Sequence, residues 1–226
     1  MTNKLKAVLF DFDYTLGDSS AAILDCTRYA MARLDLPSPS DDEIRRAIGL
    51  ATPDMFYRFQ GIAEPDQARE SERAYAFRRF YHERADEVMV PLASVYPAVP
   101  AVASALVGQG LKLGVVTTKY RFRINAIFAR DGLAHFFSVI VGSEDVARPK
   151  PAPDALLLAL KLLPAEPDQV LYVGDSEWDA MAARDAGVPF AAVLSGATPA
   201  EAFAPYSPVA IVGDISSVPG LVAQLL

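Results

Sequence analysis

Cysteine and histidine are almost absent from this chain of 226 residues, which contains a single cysteine, Cys26, and two histidines. One cysteine cannot form an internal disulfide or a thiolate metal cluster, and it is compatible with a reducing cytosol. Basic residues are too few to balance the acidic ones, so the net charge is -7. Because nucleic acids and anionic membranes bind clustered Lys and Arg, this composition argues against both kinds of partner.

Long hydrophobic stretches are also missing. The first apolar run, Ala7–Phe10, ends at Asp11, which is too early for a signal peptide. Residues 88–111 carry no charge, but three prolines interrupt them, so we do not expect this stretch to span a bilayer. We interpret it as a hinge followed by a core helix, and we expect a cytoplasmic protein.

Short apolar runs rich in β-branched residues predict six buried strands. These runs are residues 7–10, 111–116, 137–141, 170–173, 190–194 and 209–212. The later runs alternate with stretches that predict helices, at residues 102–107, 122–130, 154–163 and 178–186. Such alternation is typical of an α/β fold with a doubly wound parallel sheet.

The gap between the first two predicted strands is far longer than one crossover helix requires. Apolar residues recur with helical spacing at 23–34 and 74–88, and residues 41–48 indicate a further helix. We therefore predict a catalytic core formed by residues 1–17 and 96–226, with a helical cap at 18–95. Two short connections would let this cap move as a lid over the end of the first strand.

A pair of carboxylates stands where the first strand ends. Residues two apart in an extended segment point to the same side, so Asp11 and Asp13 are expected to face one pocket while Phe12 packs the other way. Two like charges this close are tolerated at neutral pH when a divalent cation lies between them or when one carboxyl keeps its proton. Both arrangements indicate a phosphoryl-transfer site, although a polar turn would explain the pair alone.

Three more segments with polar side chains follow predicted strands or lie near their ends. They contain Thr117 and Thr118, then Lys150 between two prolines, and finally Asp175 with Asp179 one helical turn later. Each segment alone has an ordinary explanation as a helix cap or a solvated loop. In a doubly wound sheet, however, the carboxyl ends of the strands line one crevice. Oxygen ligands without a His or Cys cluster suit Mg²⁺.

These motifs resemble those of the haloacid-dehalogenase-like superfamily, in its Mg²⁺-dependent phosphatase branch, and particularly enzymes similar to phosphoglycolate phosphatase. The four motifs are, in order, Asp11-Phe12-Asp13-Tyr14-Thr15-Leu16, Thr117, Lys150, and Gly174-Asp175 with Asp179. The helical insertion after the first motif also resembles the cap of this branch. Ile48-Gly49-Leu50 is similar to the loop of that cap that faces the substrate.

The resemblance implies a role for each matched residue. Asp11 would be the nucleophile that forms an aspartyl-phosphate, and Asp13 would protonate the leaving oxygen and then deprotonate the hydrolytic water. The Asp11 carboxylate, the Asp13 carbonyl and Asp175 would hold Mg²⁺. Phosphate would be bound by Thr117, Thr118 and Lys150. Asp179 would orient Lys150 or a water molecule on the metal.

The sequence leaves the substrate open. Tyr14 stands where relatives often carry glycine and Thr118 where many carry asparagine, so the pocket entrance and the phosphate loop differ from the family pattern. Selectivity is expected in the cap, where the candidates are Gly49, Leu50, Arg45, Arg46, Tyr57 and Arg58. The expected substrate is a small phosphorylated metabolite, with 2-phosphoglycolate as the first candidate.

Other activities on the same core are a sugar-phosphate mutase of the β-phosphoglucomutase type, a pyrophosphatase or a nucleotidase. A dehalogenase would leave Asp13 unexplained, since breaking a carbon-halogen bond does not need a proton donor for an alkoxide. A phosphorylatable receiver domain combines similar residues without catalysing turnover, but it would have no use for a helical insertion over its site.

Overall fold

The structure is a computed structural model that describes residues 5–62 and 72–226. Within these ranges the strands are β1 (Ala7–Phe10), β2 (Gly17–Asp18), β3 (Ser94–Val95), β4 (Lys112–Val116), β5 (Phe137–Val141), β6 (Val170–Gly174), β7 (Phe190–Val193) and β8 (Ala210–Val212). The α-helices are α1 (Ser20–Arg33), α2 (Asp41–Arg45), α3 (Thr52–Phe59), α4 (Glu72–Leu92), α5 (Val99–Gly108), α6 (Arg121–Arg130), α7 (Asp154–Leu162), α8 (Glu177–Ala186) and α9 (Val218–Leu225). The chain divides into two compact units. We call residues 1–18 with 95–226 the core unit and residues 19–94 the helical unit.

Six strands of the core unit form one sheet in the order β5-β4-β1-β6-β7-β8, and every neighbouring pair is parallel. β1 lies between β4 and β6, with Phe10 opposite Val115 on one side and Val173 on the other. The loops that follow these three strands therefore leave the sheet at the same edge. The predicted doubly wound α/β fold is confirmed, and each of the six predicted strands is present.

The two central strands β1 and β6 are buried along their whole length. A parallel sheet covered by helices requires such continuous apolar runs, because neither face of the sheet meets water. Each large side chain buried there, such as Phe10 or Tyr172, stabilises the fold by about 1.5–3 kcal/mol. This packing makes the sheet edge a rigid support for the residues that follow it.

Proline and glycine mark several helix boundaries in the core unit. Gly187 ends α8 in the left-handed conformation with φ 71°, as its position in the sequence predicts. Pro153 precedes the first residue of α7. Pro100 lies in the first turn of α5, where its missing N–H removes no helical hydrogen bond. Because the first turn tolerates Pro100, α5 begins at Val99, before the predicted start at residue 102.

In the helical unit, α4 packs against both α1 and α3. The Phe77 side chain is fully buried, and its ring centroid lies 5.2 Å from that of Phe56 and 6.1 Å from that of Tyr81. Helix α2 begins with a capping box, in which the Ser40 side chain accepts a hydrogen bond from the Glu43 N–H while the Glu43 carboxylate accepts one from the Ser40 N–H. This unit therefore has an aromatic core of its own.

Three details of the insertion differ from the sequence prediction. Helix α3 was not predicted, because its buried residues Met55, Phe56 and Tyr57 are consecutive and lack helical spacing. Helix α2 ends at Arg45, before the predicted residue 48. Helix α4 continues to Leu92, beyond the predicted residue 88, and contains Pro91 in its last turn. None of the helices in the described residues is both long enough and apolar enough to cross a membrane.

Candidate active site

Asp11 and Asp13 lie directly after β1, where the chain leaves the sheet. The Asp11 N–H still belongs to the sheet, because it donates to the Val173 carbonyl over 2.9 Å. Both aspartates are buried, with 2% and 5% of their surface exposed. Phe12 between them packs into the core with its ring centroid 6.1 Å from that of Phe128, as predicted. The carboxylates are thus held at the sheet edge in a site with little access to water.

The turn after this pair places Tyr14 in the left-handed region with φ 56°. The Tyr14 N–H donates to the Gly17 carbonyl over 2.7 Å, and the Tyr14 carbonyl accepts a hydrogen bond from the Ser195 hydroxyl. This conformation costs a residue with a Cβ about 1–2 kcal/mol. That cost is a physical reason for the glycine that the family resemblance predicts at this position.

The Lys150 ammonium lies between two carboxylates in the interior of the core unit. Its Nζ is 2.8 Å from Asp11 Oδ1 and 2.5 Å from Asp179 Oδ1, and it donates to the Tyr172 hydroxyl over 3.1 Å. Burial lowers the pKa of Lys150, but the charges of Asp11 and Asp179 outweigh it and raise the pKa above its ordinary value. Lys150 is therefore a fixed positive charge beside Asp11.

The Asp179 carboxylate is fully buried in the first turn of α8. Its Oδ1 accepts hydrogen bonds from Lys150 Nζ and, over 2.8 Å, from the Tyr172 hydroxyl, which also lies 3.0 Å from the Val116 carbonyl. Its Oδ2 accepts from the Ser176 N–H over 3.1 Å and from the Ser176 hydroxyl over 2.6 Å. Because these bonds use both oxygens, Asp179 anchors Lys150 and has little capacity left to bind a metal ion.

The loop after β4 supplies two threonines and a lysine. Thr117 is buried, its N–H donates to the Val141 carbonyl over 3.0 Å, and its Oγ1 accepts from the Lys119 N–H over 3.2 Å. Thr118 is partly exposed. Lys119 Nζ lies 2.6 Å from Asp13 Oδ2. This loop therefore contributes a second buried cation to the site, paired with Asp13.

Asp175 follows β6 at the same edge and is 6% exposed. Carboxylate oxygens of Asp11, Asp175 and Asp179 lie within 4.8 Å of one another. Gly196, in the loop after β7, packs against Asp175 so closely that a Cβ at this position would stand 1.8 Å from Asp175 Oδ2. Only glycine fits beside Asp175 in this arrangement.

The carboxylates perturb one another because they share a buried site. Burial raises the pKa of Asp11 to about 7; Lys150 opposes this change, and Asp179 and Asp13 add to it. Burial also raises the pKa of Asp175 well above its ordinary value, and the charges of Asp179 and Asp11 act in the same direction. Both pKa values are raised mainly because burial disfavours the ionised carboxylate, and the neighbouring carboxylates add to this effect.

The residues present fit a divalent cation. Four aspartates face two lysines, Lys119 and Lys150, which leaves a formal excess of two negative charges when all six groups are ionised. The side-chain ligands available are carboxylate oxygens, which suit a hard ion such as Mg²⁺. With Asp179 engaged by its hydrogen bonds, Asp11 and Asp175 are the carboxylates that would hold the ion.

The predicted site residues fall into two groups in the structure. Those at the carboxyl edge of the core sheet are Asp11, Asp13, Thr117, Thr118, Lys150, Asp175 and Asp179. Gly49 and Leu50 lie instead in the helical unit between α2 and α3. Gly49 has φ 97°, and the Leu50 N–H donates to the Ala47 carbonyl over 3.2 Å.

Four residues of this edge were missed by the sequence reasoning. They are Lys119, Tyr172, Ser176 and Gly196. The only signals for Lys119 and Ser176 were their positions next to predicted site residues. Tyr172 lies within an apolar strand, and Gly196 lies in a loop that carries no motif, so neither had a signal.

In chelator, the stability of the protein is expected to fall as the pH rises from about 4 to about 7. The folded protein holds a proton on Asp11 up to a pKa of about 7, whereas an unperturbed aspartate releases it near 3.8. Between these values the folded state binds more protons than the unfolded state, so the free energy of unfolding decreases by up to about 1.4 kcal/mol per pH unit.

Thermal unfolding at several pH values, in chelator and in excess Mg²⁺, measures this effect. Magnesium should raise the Tm more at the higher pH, and Asp11→Asn should reduce the slope observed in chelator. A Tm in chelator that stays level or rises over this range would contradict the placement of the carboxylates.

Gly196→Ala is expected to weaken Mg²⁺ binding at least about tenfold, because the new methyl group must displace Asp175 or the loop that carries it. Titration calorimetry with Mg²⁺ measures the affinity. The matched control is Gly213→Ala, since a Cβ at Gly213 meets no atom within 4 Å. Equal Mg²⁺ affinity in both variants would show that the contact between Gly196 and Asp175 is unimportant for the ion.

Comparison with known proteins agrees with this geometry. The sequence profile of a family described as haloacid dehalogenase-like hydrolase matches residues 8–193. A pyrophosphatase PpaX of Bacillus velezensis is 31% identical over 98% of this chain and 100% of its own length. A pyrophosphatase PpaX of Bacillus cereus is 32% identical over 89% of this chain and 90% of its own length.

Solved structures show the same fold. A Bacteroides fragilis protein described as a haloacid dehalogenase-like hydrolase superposes with a TM-score of 0.89 and 37% identity, over 95% of this chain and 100% of its own. A Haemophilus somnus protein described as a predicted phosphoglycolate phosphatase superposes with a TM-score of 0.79 and 25% identity, over 96% and 97% of the two chains. The chain therefore belongs to the haloacid dehalogenase-like hydrolase family.

Proposed function

We propose that this hydrolase is a Mg²⁺-dependent phosphatase that acts on a small phosphorylated metabolite through an aspartyl-phosphate on Asp11. The observation that carries the proposal is that the two aspartates of the first motif, Asp11 and Asp13, contact different buried lysines. Asp11 lies 2.8 Å from Lys150, and Asp13 lies 2.6 Å from Lys119. Two adjacent carboxylates with separate partners suit two separate roles, one as nucleophile and one as acid and base.

In the first step an Asp11 carboxylate oxygen attacks phosphorus, and the bond between phosphorus and the leaving oxygen breaks. Asp13 gives its proton to that oxygen, so an alcohol leaves and Asp13 becomes a carboxylate. In the second step Asp13 takes a proton from water, whose oxygen attacks phosphorus. The bond between phosphorus and Asp11 then breaks, which releases inorganic phosphate and restores both aspartates.

Positive charge must offset the repulsion between Asp11 and a phosphate dianion. That repulsion is about 4 kcal/mol for each pair of unit charges at about 4 Å and an effective dielectric constant of about 20. Lys150 supplies a fixed charge beside Asp11, and the Thr117 hydroxyl and the Thr118 loop would bind the phosphoryl oxygens. A Mg²⁺ ion held by Asp11, Asp175 and the Asp13 carbonyl would neutralise further charge on the phosphoryl group.

We assign the helical unit the role of a cap that selects the substrate, with Gly49 and Leu50 among its selecting residues. 2-Phosphoglycolate is the first candidate, supported by the family motifs and by the description of the Haemophilus somnus structure. Inorganic pyrophosphate is the second candidate, favoured by the names of the Bacillus relatives at 31% and 32% identity. A cytoplasmic location is supported by the composition, since a chain with one cysteine cannot form an internal disulfide.

A phosphate-release assay on the purified chain tests the activity and separates the candidates. The panel contains 2-phosphoglycolate, pyrophosphate, nucleotides, sugar phosphates and p-nitrophenyl phosphate, each with Mg²⁺ and with chelator. Release that requires Mg²⁺ is expected, with the highest kcat/KM on one of the two candidates. Interconversion of sugar phosphates without net release would favour a mutase, and inactivity on every compound would refute the proposal.

A further inference from the structure

The ion pair between Lys119 and Asp13 is buried on both sides, with each side chain 6% exposed. A second buried group joins Lys150 to Asp11 and Asp179, whereas a pair such as Arg184 with Asp185 is largely exposed. A buried ion pair loses hydration on both partners, so it is weak evidence for a role in stability. Its position beside the proposed acid and base indicates a role in the reaction.

The backbone around Lys119 is fixed from two directions. Its N–H donates to Thr117 Oγ1 over 3.2 Å, and its carbonyl accepts from the Ser143 N–H over 3.1 Å. Gly142 approaches so closely that a Cβ there would lie 2.8 Å from the Lys119 carbonyl oxygen. These contacts hold the loop after β4 against the end of β5, so the backbone position of Lys119 is fixed.

Lys119 binds only one of the two oxygens of Asp13. The ammonium contacts Oδ2, whereas the buried Oδ1 has no hydrogen-bond partner among residues 5–62 and 72–226. The same ammonium lies 5.9 Å from the ring centroid of Phe12, which is itself fully buried. The carboxylate is therefore anchored at one oxygen while the other is left for a reacting group.

We infer that Lys119 is a positioning residue: it holds the Asp13 carboxylate so that Oδ1 exchanges the proton with the leaving oxygen and with the attacking water. This inference rests on the proposed phosphatase function and extends it to a residue outside the family motifs identified in the sequence. It differs from a role in phosphate binding. If Lys119 bound the phosphate, replacing it would lower kcat/KM by a similar factor for every substrate. If it positions the acid, the loss is largest when the leaving oxygen needs a proton.

The test compares Lys119→Met with the parent enzyme on phosphate esters whose leaving groups become steadily poorer, from p-nitrophenyl phosphate to phenyl phosphate to an alkyl phosphate. Expected is a loss of kcat/KM of about 10²–10³-fold on the alkyl ester and less than about tenfold on p-nitrophenyl phosphate. Lys119→Arg keeps the charge and is expected to recover part of the loss. The matched control is Lys112→Met, which removes an exposed lysine at the other end of β4.

A second measurement follows the release of p-nitrophenol by stopped flow. Lys119→Met should form the aspartyl-phosphate readily with this good leaving group and hydrolyse it slowly, so a burst close to one equivalent of the enzyme is expected. If the Met variant fails to fold, Lys119→Arg is analysed in the same way. Its loss of kcat/KM is expected to be smaller, and it should still be larger for the alkyl ester than for p-nitrophenyl phosphate.

The outcomes separate the two levels of the argument. If the parent enzyme is active but the loss is uniform across the esters, or appears mainly in KM, the positioning role is overturned and the phosphatase function stands. If the parent enzyme releases no phosphate from any ester, the proposed function fails and the positioning role fails with it.

Discussion

Asp11→Asn is expected to lower kcat by about four to six orders of magnitude while leaving the fold intact. The amide is a poor nucleophile and cannot form the proposed aspartyl-phosphate, and loss of a covalent nucleophile has effects of about this size in well-studied hydrolases. The fold should survive, because Lys150 keeps its contacts with Asp179 at 2.5 Å and with Tyr172 at 3.1 Å. Removing a buried carboxylate also reduces the excess negative charge of the site.

Steady-state kinetics in Mg²⁺ and thermal unfolding measure the two parts of this prediction. The matched control is Asp185→Asn, an exposed aspartate at the far end of α8, which should keep the activity of the parent enzyme. Mass spectrometry excludes deamidation back to aspartate. Activity above about one percent of the parent, in a preparation free of aspartate at this position, would rule out Asp11 as the nucleophile.

The sequence predicted the sheet because its signals are local. A buried parallel strand is a short apolar run, and β1, β4 and β6 can each be recognised without knowledge of the others. The general rule that parallel strands end at one edge then places Asp11, Thr117 and Asp175 together. Three of the four family motifs follow the same logic, since they begin at the ends of β1, β4 and β6, whereas Lys150 lies in the connection between β5 and α7.

The residues that sequence reasoning missed depend on contacts between distant segments. Lys119 reaches Asp13 across 106 positions of the chain, and Gly196 matters only because its loop packs on Asp175. Tyr172 belongs to an apolar strand, and only the structure shows that its hydroxyl donates a hydrogen bond to Asp179. Helix α3 was missed for a different reason, because eight residues with adjacent apolar side chains give no clear period.

Lys150→Met is expected to destabilise the fold by about 3–5 kcal/mol and to lower kcat by at least about 10²-fold. The substitution removes the cation that lies within 2.8 Å of Asp11 and 2.5 Å of Asp179, and it leaves both carboxylates buried without it. Breaking a buried ion pair by removing one partner has effects of this size, because the remaining charge is neither hydrated nor neutralised. The loss of activity follows from the loss of positive charge beside Asp11, the proposed nucleophile.

Urea unfolding in chelator and kinetics in Mg²⁺ separate stability from catalysis. The double variant Lys150→Met, Asp179→Asn should regain a large part of the stability, because one uncompensated charge is removed, but it should regain no activity. The matched control is Lys161→Met, which removes an exposed lysine from α7. A stability loss below about 1 kcal/mol in the single variant would mean that the buried carboxylates of Asp11 and Asp179 do not need the charge of Lys150 to compensate them. Recovery of activity in the double variant would mean that Lys150 only neutralises the Asp179 carboxylate and has no direct role at the phosphoryl group.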